Sequence, residues 1–310
     1  MLKKLMFFSV VLLGLSVSAY AAGNETVDSR LEVVSTTPVV ESITLDDLDD
    51  VTGNSIDLTP NATERLNCYG YVNDTDGFGD LRELNATIYA SGIGTQAHGV
   101  ADDNLTHYTN TSCDLSSLNV DGFFNCSFNM WFYATNTTWT CSVNVTDFAY
   151  NLNSTGLNDT TPVEDLVAIN IDDATVDFGP RSLNTNSSAD TNVSVWNEGN
   201  VALDLDVDAY EANATIDGTE FDSSYAFNCS TGQIDVGNLR FNNTYNADYD
   251  TSLSMSQTGF SRFSGFDMAH TTAGINPTRQ LTHWAIGLPE TGIAGLCTGR
   301  IIYVALASGG

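Results

Sequence analysis

Residues 137–147 read TTWTCSVNVTD. Successive side chains of a strand point to opposite faces, so Cys141, Val143 and Val145 share one face and Trp139 joins them. Working outward, strand-like segments recur at SIDLT (55–59), RLNCYGYV (65–72), LRELNATIYA (81–90) and FFNCSFNMWFY (123–133). Turns rich in Gly, Asp and Asn separate them. No stretch of any length carries a helical period. The expectation is an all-β chain.

In RLNCYGYV, Leu66, Cys68 and Gly70 also share a face. A bridge from Cys68 to Cys141 would pin an early strand to a late one across two sheets, as in an immunoglobulin-like sandwich. Cys113 and Cys126 would then close the intervening segment, although four cysteines allow three pairings. Residues 52–161 are expected to form this first antiparallel sandwich. A Thr160-Thr161-Pro162 hinge leads to a second sandwich over 162–310. There, DTNVSVWNEGNVALDLDVDAY (190–210) sets Leu203, Leu205, Val207 and Ala209 against Asp204, Asp206 and Asp208, a one-sided strand preceded by an Asn197-Glu198-Gly199-Asn200 turn. The three aspartates read as the wetted face of a sheet or as a strip for cations.

The N-terminus predicts export. MLKK, an apolar stretch from Leu5 to Ala19 and the small-x-small Ala19-Tyr20-Ala21 form a signal peptide over 1–21, removed near Ala21. The run is shorter than the roughly 20 apolar residues a span needs, so no membrane span is expected after cleavage. Residues 22–51 read as an acidic spacer or donor strand, with a β-prone core, LEVVSTTPVVESI, at 31–43. The whole chain has a formal charge of −29, from 10 Lys and Arg against 39 Asp and Glu. Both lysines, Lys3 and Lys4, leave with the signal. Such a surface repels nucleic acid and anionic lipid, which excludes nucleic-acid partners. All six cysteines lie in the exported part, and an even count outside the cell reads as disulfides.

Sixteen Asn-x-Ser/Thr triplets run along the chain, whereas its 29 Asn and 63 Ser plus Thr among 310 residues predict about six by chance. They begin at Asn24, Asn61, Asn73, Asn85, Asn104, Asn110, Asn125, Asn136, Asn144, Asn153, Asn158, Asn186, Asn192, Asn213, Asn228 and Asn242. In a strand the Asn and the Ser or Thr of a triplet share a face while the middle residue takes the other. Several middle residues are small or apolar: Ala86, Cys126, Val145, Val193, Ala214 and Cys229. Glycans would thus project outward from strands whose alternate residues pack inward. The final 68 residues carry no triplet and read as a possible contact surface.

The loop NDTDGFGDL (73–81) holds Asp74, Asp76 and Asp80 around Gly77 and Gly79. Carboxylates spaced this closely on a kinked loop can wrap calcium, aided by Asp102 and Asp103, although the EF-hand pattern is not met and acidic turn chemistry explains the same letters. Chemistry is otherwise sparse. His98, His107, His270 and His283 share no metal-ligand spacing with the cysteines, and no GxSxG, HExxH or Gly-rich phosphate loop occurs. Asp172-Asp173 is one acidic pair among many and does not mark a glycosidase dyad.

LPETG at 288–292 is the letter signature of sortase substrates. No continuous apolar segment with a basic end follows it, Arg300 interrupting the eighteen residues beyond, so the membrane stop of a wall anchor is missing. Read as β structure, Trp284, Ile286 and Leu288 alternate, Pro289 to Gly295 connect, and RIIYVALA is a terminal strand. The spacing W-x-I-x-x-P, then G-x-C-x-G-x-I-x-Y-x-A, resembles the last hairpin of β-sandwich repeats in archaeal secreted surface glycoproteins. NEGNVALDLDV resembles a turn and strand shared by such domains and by TasA- and camelysin-like fibre proteins. The resemblance implies an immunoglobulin-like fold, and a Cys229–Cys297 bridge where the pattern often carries an aromatic. A non-catalytic, glycosylated subunit of the cell surface or of an extracellular filament is expected, partnered by itself or by other surface proteins. The alternative is an adhesin for carbohydrate or another cell, motivated by Phe260, Phe263, Phe266 and Trp284.

Overall fold

A computed structural model describes residues 29–47, 55–92, 98–118, 121–172, 175–212, 224–272 and 276–308. The signal segment 1–21, Asn24 and Asn213 lie outside the described residues. The chain divides into two units, residues 1–35 and 36–310. In the first, the described residues 29–35 form no strand, and Leu31, Val33 and Val34 are exposed. Everything else belongs to the second unit.

That unit is all-β. It begins with β1 (Val39–Asp46), β2 (Thr63–Asn73), β3 (Leu81–Ala90), β4 (His107–Asn110), β5 (Asp114–Leu118), β6 (Asp121–Trp131), β7 (Thr138–Asp147) and β8 (Leu152–Pro162). These make two four-stranded antiparallel sheets, ordered β1-β2-β6-β5 and β4-β3-β7-β8. One core lies between them, built from alternate residues of both: Leu66, Cys68 and Phe124 from one sheet, Ile88, Trp139, Cys141 and Val143 from the other. Cys68 and Cys141 are joined across this core. Trp139 is fully buried, and its indole N–H finds the Thr135 carbonyl at 2.9 Å, which removes the cost of burying a polar atom.

A second pair of sheets follows, from β9 (Ile169–Ile171), β10 (Thr191–Asn197), β11 (Leu203–Glu211), β12 (Tyr225–Thr231) and β13 (Gln233–Asp235). It continues with β14 (Leu239–Asn242), β15 (Leu253–Ser254), β16 (Ser261–Arg262), β17 (Thr278–Ile286) and β18 (Ala294–Ala307). The two sheets are ordered β15-β14-β17-β10-β9 and β13-β12-β18-β11-β16. Leu203, Leu205, Val207 and Ala209 all face the core, as their alternation requires. Trp284 of one sheet donates to the Tyr303 hydroxyl of the other at 2.9 Å, tying the layers at their centre.

Four expectations need correction. Residues 22–51 are not wholly a spacer, because β1 pairs in cis with β2 as an edge of the first sandwich. A bulge between Val40 and Ser42 shifts its parity, so that Val40 and Leu45 are both buried. SIDLT contributes only an isolated bridge, Ile56 to Val163. Thr160-Thr161-Pro162 is no hinge, since all three residues continue β8 against β7. Finally, β17 and β18 do not form a hairpin: they belong to different sheets, and Gly287 to Ile293 arch between the layers.

The true junction, residues 163–168, is clamped. The Asn200 side chain is fully buried; its amide donates to the carbonyls of Ala134 (3.2 Å) and Glu164 (3.0 Å) and its oxygen accepts from Leu166 N–H (2.7 Å). The neighbouring Gly199 lies so close to the junction that a Cβ there would sit 1.9 Å from the Leu166 oxygen.

Candidate functional site

The sequons occupy the outer surfaces of both sandwiches. Of the sixteen, fourteen fall on described residues, and none of those asparagines is buried. Asn61, Asn104, Asn136, Asn158, Asn186 and Asn192 are exposed; Asn73, Asn85, Asn110, Asn125, Asn144, Asn153, Asn228 and Asn242 are half-buried. Their middle neighbours Ala86, Cys126, Val145, Val193 and Cys229 are all buried. The pleat buries the middle residue of these triplets and keeps the asparagine towards the surface, although the hydroxyl residues Thr87 and Ser194 are themselves buried.

Register adds something the spacing did not show. Asn85 of β3 stands directly opposite Asn144 of β7. Cβ atoms of such partners lie about 5 Å apart, so two acceptor side chains share one patch. At Asn73, Asn110 and Asn136 the amide nitrogen donates to Glu41, to the Ser127 carbonyl and to Asp165 respectively. A substituted amide keeps one N–H, so these bonds remain compatible with modification.

All six cysteines are paired: Cys68–Cys141, Cys113–Cys126 and Cys229–Cys297. Cys68 and Cys126 are register partners on β2 and β6, yet each bonds elsewhere, Cys68 across the core and Cys126 to the residue before β5. Cys229 and Cys297 are partners on β12 and β18 and bond to each other.

Asp74, Asp76 and Asp80 converge, one carboxylate oxygen of each lying within 4.8 Å of the others. Asp102 and Asp103 do not join them. Asp103 accepts from the backbone of Leu105, Thr106 and His107, and Asp102 holds His107 Nδ1 at 3.0 Å. The aspartates of β11 are no cation strip either: Arg262 of β16 lies 2.9 Å from Asp204 and 2.5 Å from Asp206, and Asp208 is buried rather than on a wetted face.

Burial depresses the basicity of His98, helped by the neighbouring His107, and likewise of His270 and His283. No nucleophile–base–carboxylate chain is visible among the described residues. Of the aromatics that motivated an adhesin, Phe263, Phe266 and Trp284 are buried in the second core, and Phe260 is exposed. LPETG sits on the arch before β18, with Glu290, Thr291 and Gly292 exposed. A cut between Thr291 and Gly292 would open the arch and leave β18, which runs through the middle of its sheet, tied to the rest by Cys229–Cys297.

Two grooves open on the second sandwich. One, of about 670 Å³, lies between the layers beside Ile171, Val193, Tyr210 and Ile301. The other, of about 640 Å³, is bounded by Phe178, Leu183, Ile286, Leu288, Ile293 and Leu296 and so draws on both the 176–183 segment and the sequon-free end of the chain. Among the described residues no helix is long and apolar enough to cross a membrane. The chain matches no protein-family model, and a search of curated proteins finds no match to it.

Proposed function

We propose that the protein is a secreted, N-glycosylated structural subunit of a cell surface or extracellular filament, akin to the β-sandwich surface glycoproteins of archaea, with no catalysis of its own. The observation that carries this reading is the sequon geometry: not one of the fourteen described acceptor asparagines is buried, while the residues that follow Asn85, Asn125, Asn144, Asn192 and Asn228 pack into the cores. Three disulfides support an oxidising compartment. The strand order β1-β2-β6-β5 over β4-β3-β7-β8, with its inter-sheet bridge from β2 to β7, supports an immunoglobulin-like first domain.

Self-association is the partner reading with most support. Leu31, Val33 and Val34 are 86%, 82% and 77% exposed, apolar side chains whose burial awaits something outside the second unit's own cores. Strands that end a sheet, β9 among them, can accept a neighbour's strand. Because β1 already pairs in cis, the donor segment contracts to residues before Val39.

Intact mass spectrometry of protein from its native source tests the whole reading. The expected result is a mature N-terminus near residue 22, oxidised cysteines and a mass well above the polypeptide. A bare polypeptide mass with free thiols would overturn it. Deleting residues 29–35 should abolish assembly seen by electron microscopy without unfolding the sandwiches; unchanged filaments would remove the donor role.

A further inference from the structure

The acidic loop between β2 and β3 has two properties that turn chemistry alone does not require. The first is the convergence of Asp74, Asp76 and Asp80. Gly77 adopts φ +100°, its N–H closes on the Asp74 carbonyl at 2.9 Å, and the short helical turn Phe78–Asp80 brings Asp80 back over the loop. Thr36 fixes Asp76 from outside, its N–H at 2.6 Å and its hydroxyl at 2.7 Å from Oδ2. Three carboxylate oxygens within 4.8 Å of one another is the span set by oxygen ligands about 2.3–2.6 Å from a common cation.

The second property is a buried acceptor with nothing to accept from. Asp74 is only 3% exposed, and its Oδ2 is buried without a hydrogen-bond partner. A carboxylate oxygen withdrawn from water demands a partner. Among the described residues neither Asp74 nor Asp76 forms an ion pair; the basic groups there that do pair go to Glu83, Asp102, Asp190, Asp204 and Asp206.

From these two observations we infer that the β2–β3 loop is a calcium site, with Asp74, Asp76 and Asp80 supplying the protein oxygens and water completing the shell. All three donors are hard carboxylates, which selects magnesium or calcium over zinc or copper. Between those two, geometry decides. Magnesium demands a near-ideal octahedron and gives up its waters reluctantly, so it seldom takes a cage of several protein carboxylates. Calcium accepts an irregular shell of the kind three loop aspartates and water provide. The bound ion would lock the loop and Thr36 together, and with them the sequon Asn73-Asp74-Thr75.

Calorimetric titration of the full, disulfide-bonded chain, stripped with EDTA, tests this. Calcium chloride should give one saturable site with a dissociation constant on the order of 10⁻⁴–10⁻³ M, as in other extracellular modules. Magnesium should bind at least tenfold more weakly. Asp76→Asn, at an exposed position that leaves the core intact, should weaken calcium at least tenfold, and Asp74→Asn should do the same if it folds. Asp267→Asn, an exposed carboxylate elsewhere, should leave binding unchanged and so controls for general counterion attraction. Absence of a saturable site below 10 mM calcium, about tenfold above the expected constant, would overturn the inference. So would equal binding by magnesium, or equal behaviour of Asp76→Asn and Asp267→Asn.

Discussion

Asn200→Ala is the most informative single substitution, because it attacks the junction without touching either core. The wild-type side chain is fully buried and makes three hydrogen bonds, to the carbonyls of Ala134 and Glu164 and from the N–H of Leu166. Alanine withdraws all three partners and puts nothing in their place. Each buried polar group left unpaired costs about 1–3 kcal/mol; taking the low end for the two longer bonds and the middle for the 2.7 Å bond gives about 4 kcal/mol. With a slope of about 2 kcal/mol per molar urea, the midpoint should fall by about 2 M. Tryptophan fluorescence follows the transition, since Trp139 and Trp284 report the two cores separately. Small-angle scattering at zero urea should show a larger radius of gyration as the sandwiches separate. Asn170→Ala, which removes an exposed bond to Glu198, serves as the control and should shift stability by less than about 0.5 kcal/mol. If Asn200→Ala melts with the control and scatters like the wild type, the clamp is not what orients the two layers.

Other outcomes follow from the same structure. Replacing Cys68 and Cys141 by alanine should cost about 4 kcal/mol, against about 3 kcal/mol for Cys113 and Cys126, because the bridges span 73 and 13 residues; equal losses in urea melts would refute the loop-length account. Burial lowers the affinity of His98, His270 and His283 for protons, so the unfolded chain protonates first on acidification. The stability they contribute is complete above about pH 6.5 and declines below it towards the folded values. Proton NMR titration should place all three midpoints under 6.5; one at or above it would contradict the burial shown. Glycopeptide mass spectrometry should find Asn85 and Asn144 seldom modified on the same molecule, since sugars on directly opposed side chains compete for one volume; frequent double occupancy would refute the crowding.

The strands that sequence revealed are those with one wet and one dry face. Cys141, Val143 and Val145 announce β7, and Leu203 to Ala209 announce β11, because period two is all that a half-buried strand needs. Strand β8 was invisible for the converse reason. LNSTGLNDTTP has no apolar alternation, and backbone bonds to β7 hold it at the sheet edge. Strand β1 was legible as the β-prone end of LEVVSTTPVVESI, but its pairing with β2 was not, since a bulge interrupts the alternation that would set its register. Cysteine positions were legible from shared faces, whereas the role of Asn200 was not: a turn asparagine beside glycine looks the same whether it meets solvent or a neighbouring sandwich. The acidic loop was legible in composition, but only the chain's folding placed three carboxylates together and left Asp102 and Asp103 apart.

The internal position of β18 bears on how the polypeptide matures. Sheet order places this strand between β11 and β12, so its neighbours, made some ninety and seventy residues earlier, share no hydrogen-bonded ladder until it arrives. The earlier sandwich is topologically finished by Pro162 and can close while synthesis continues. The later one must wait with an unzipped sheet and an unpaired Cys229, which makes that interval the moment when catalysed thiol oxidation or a chaperone matters most.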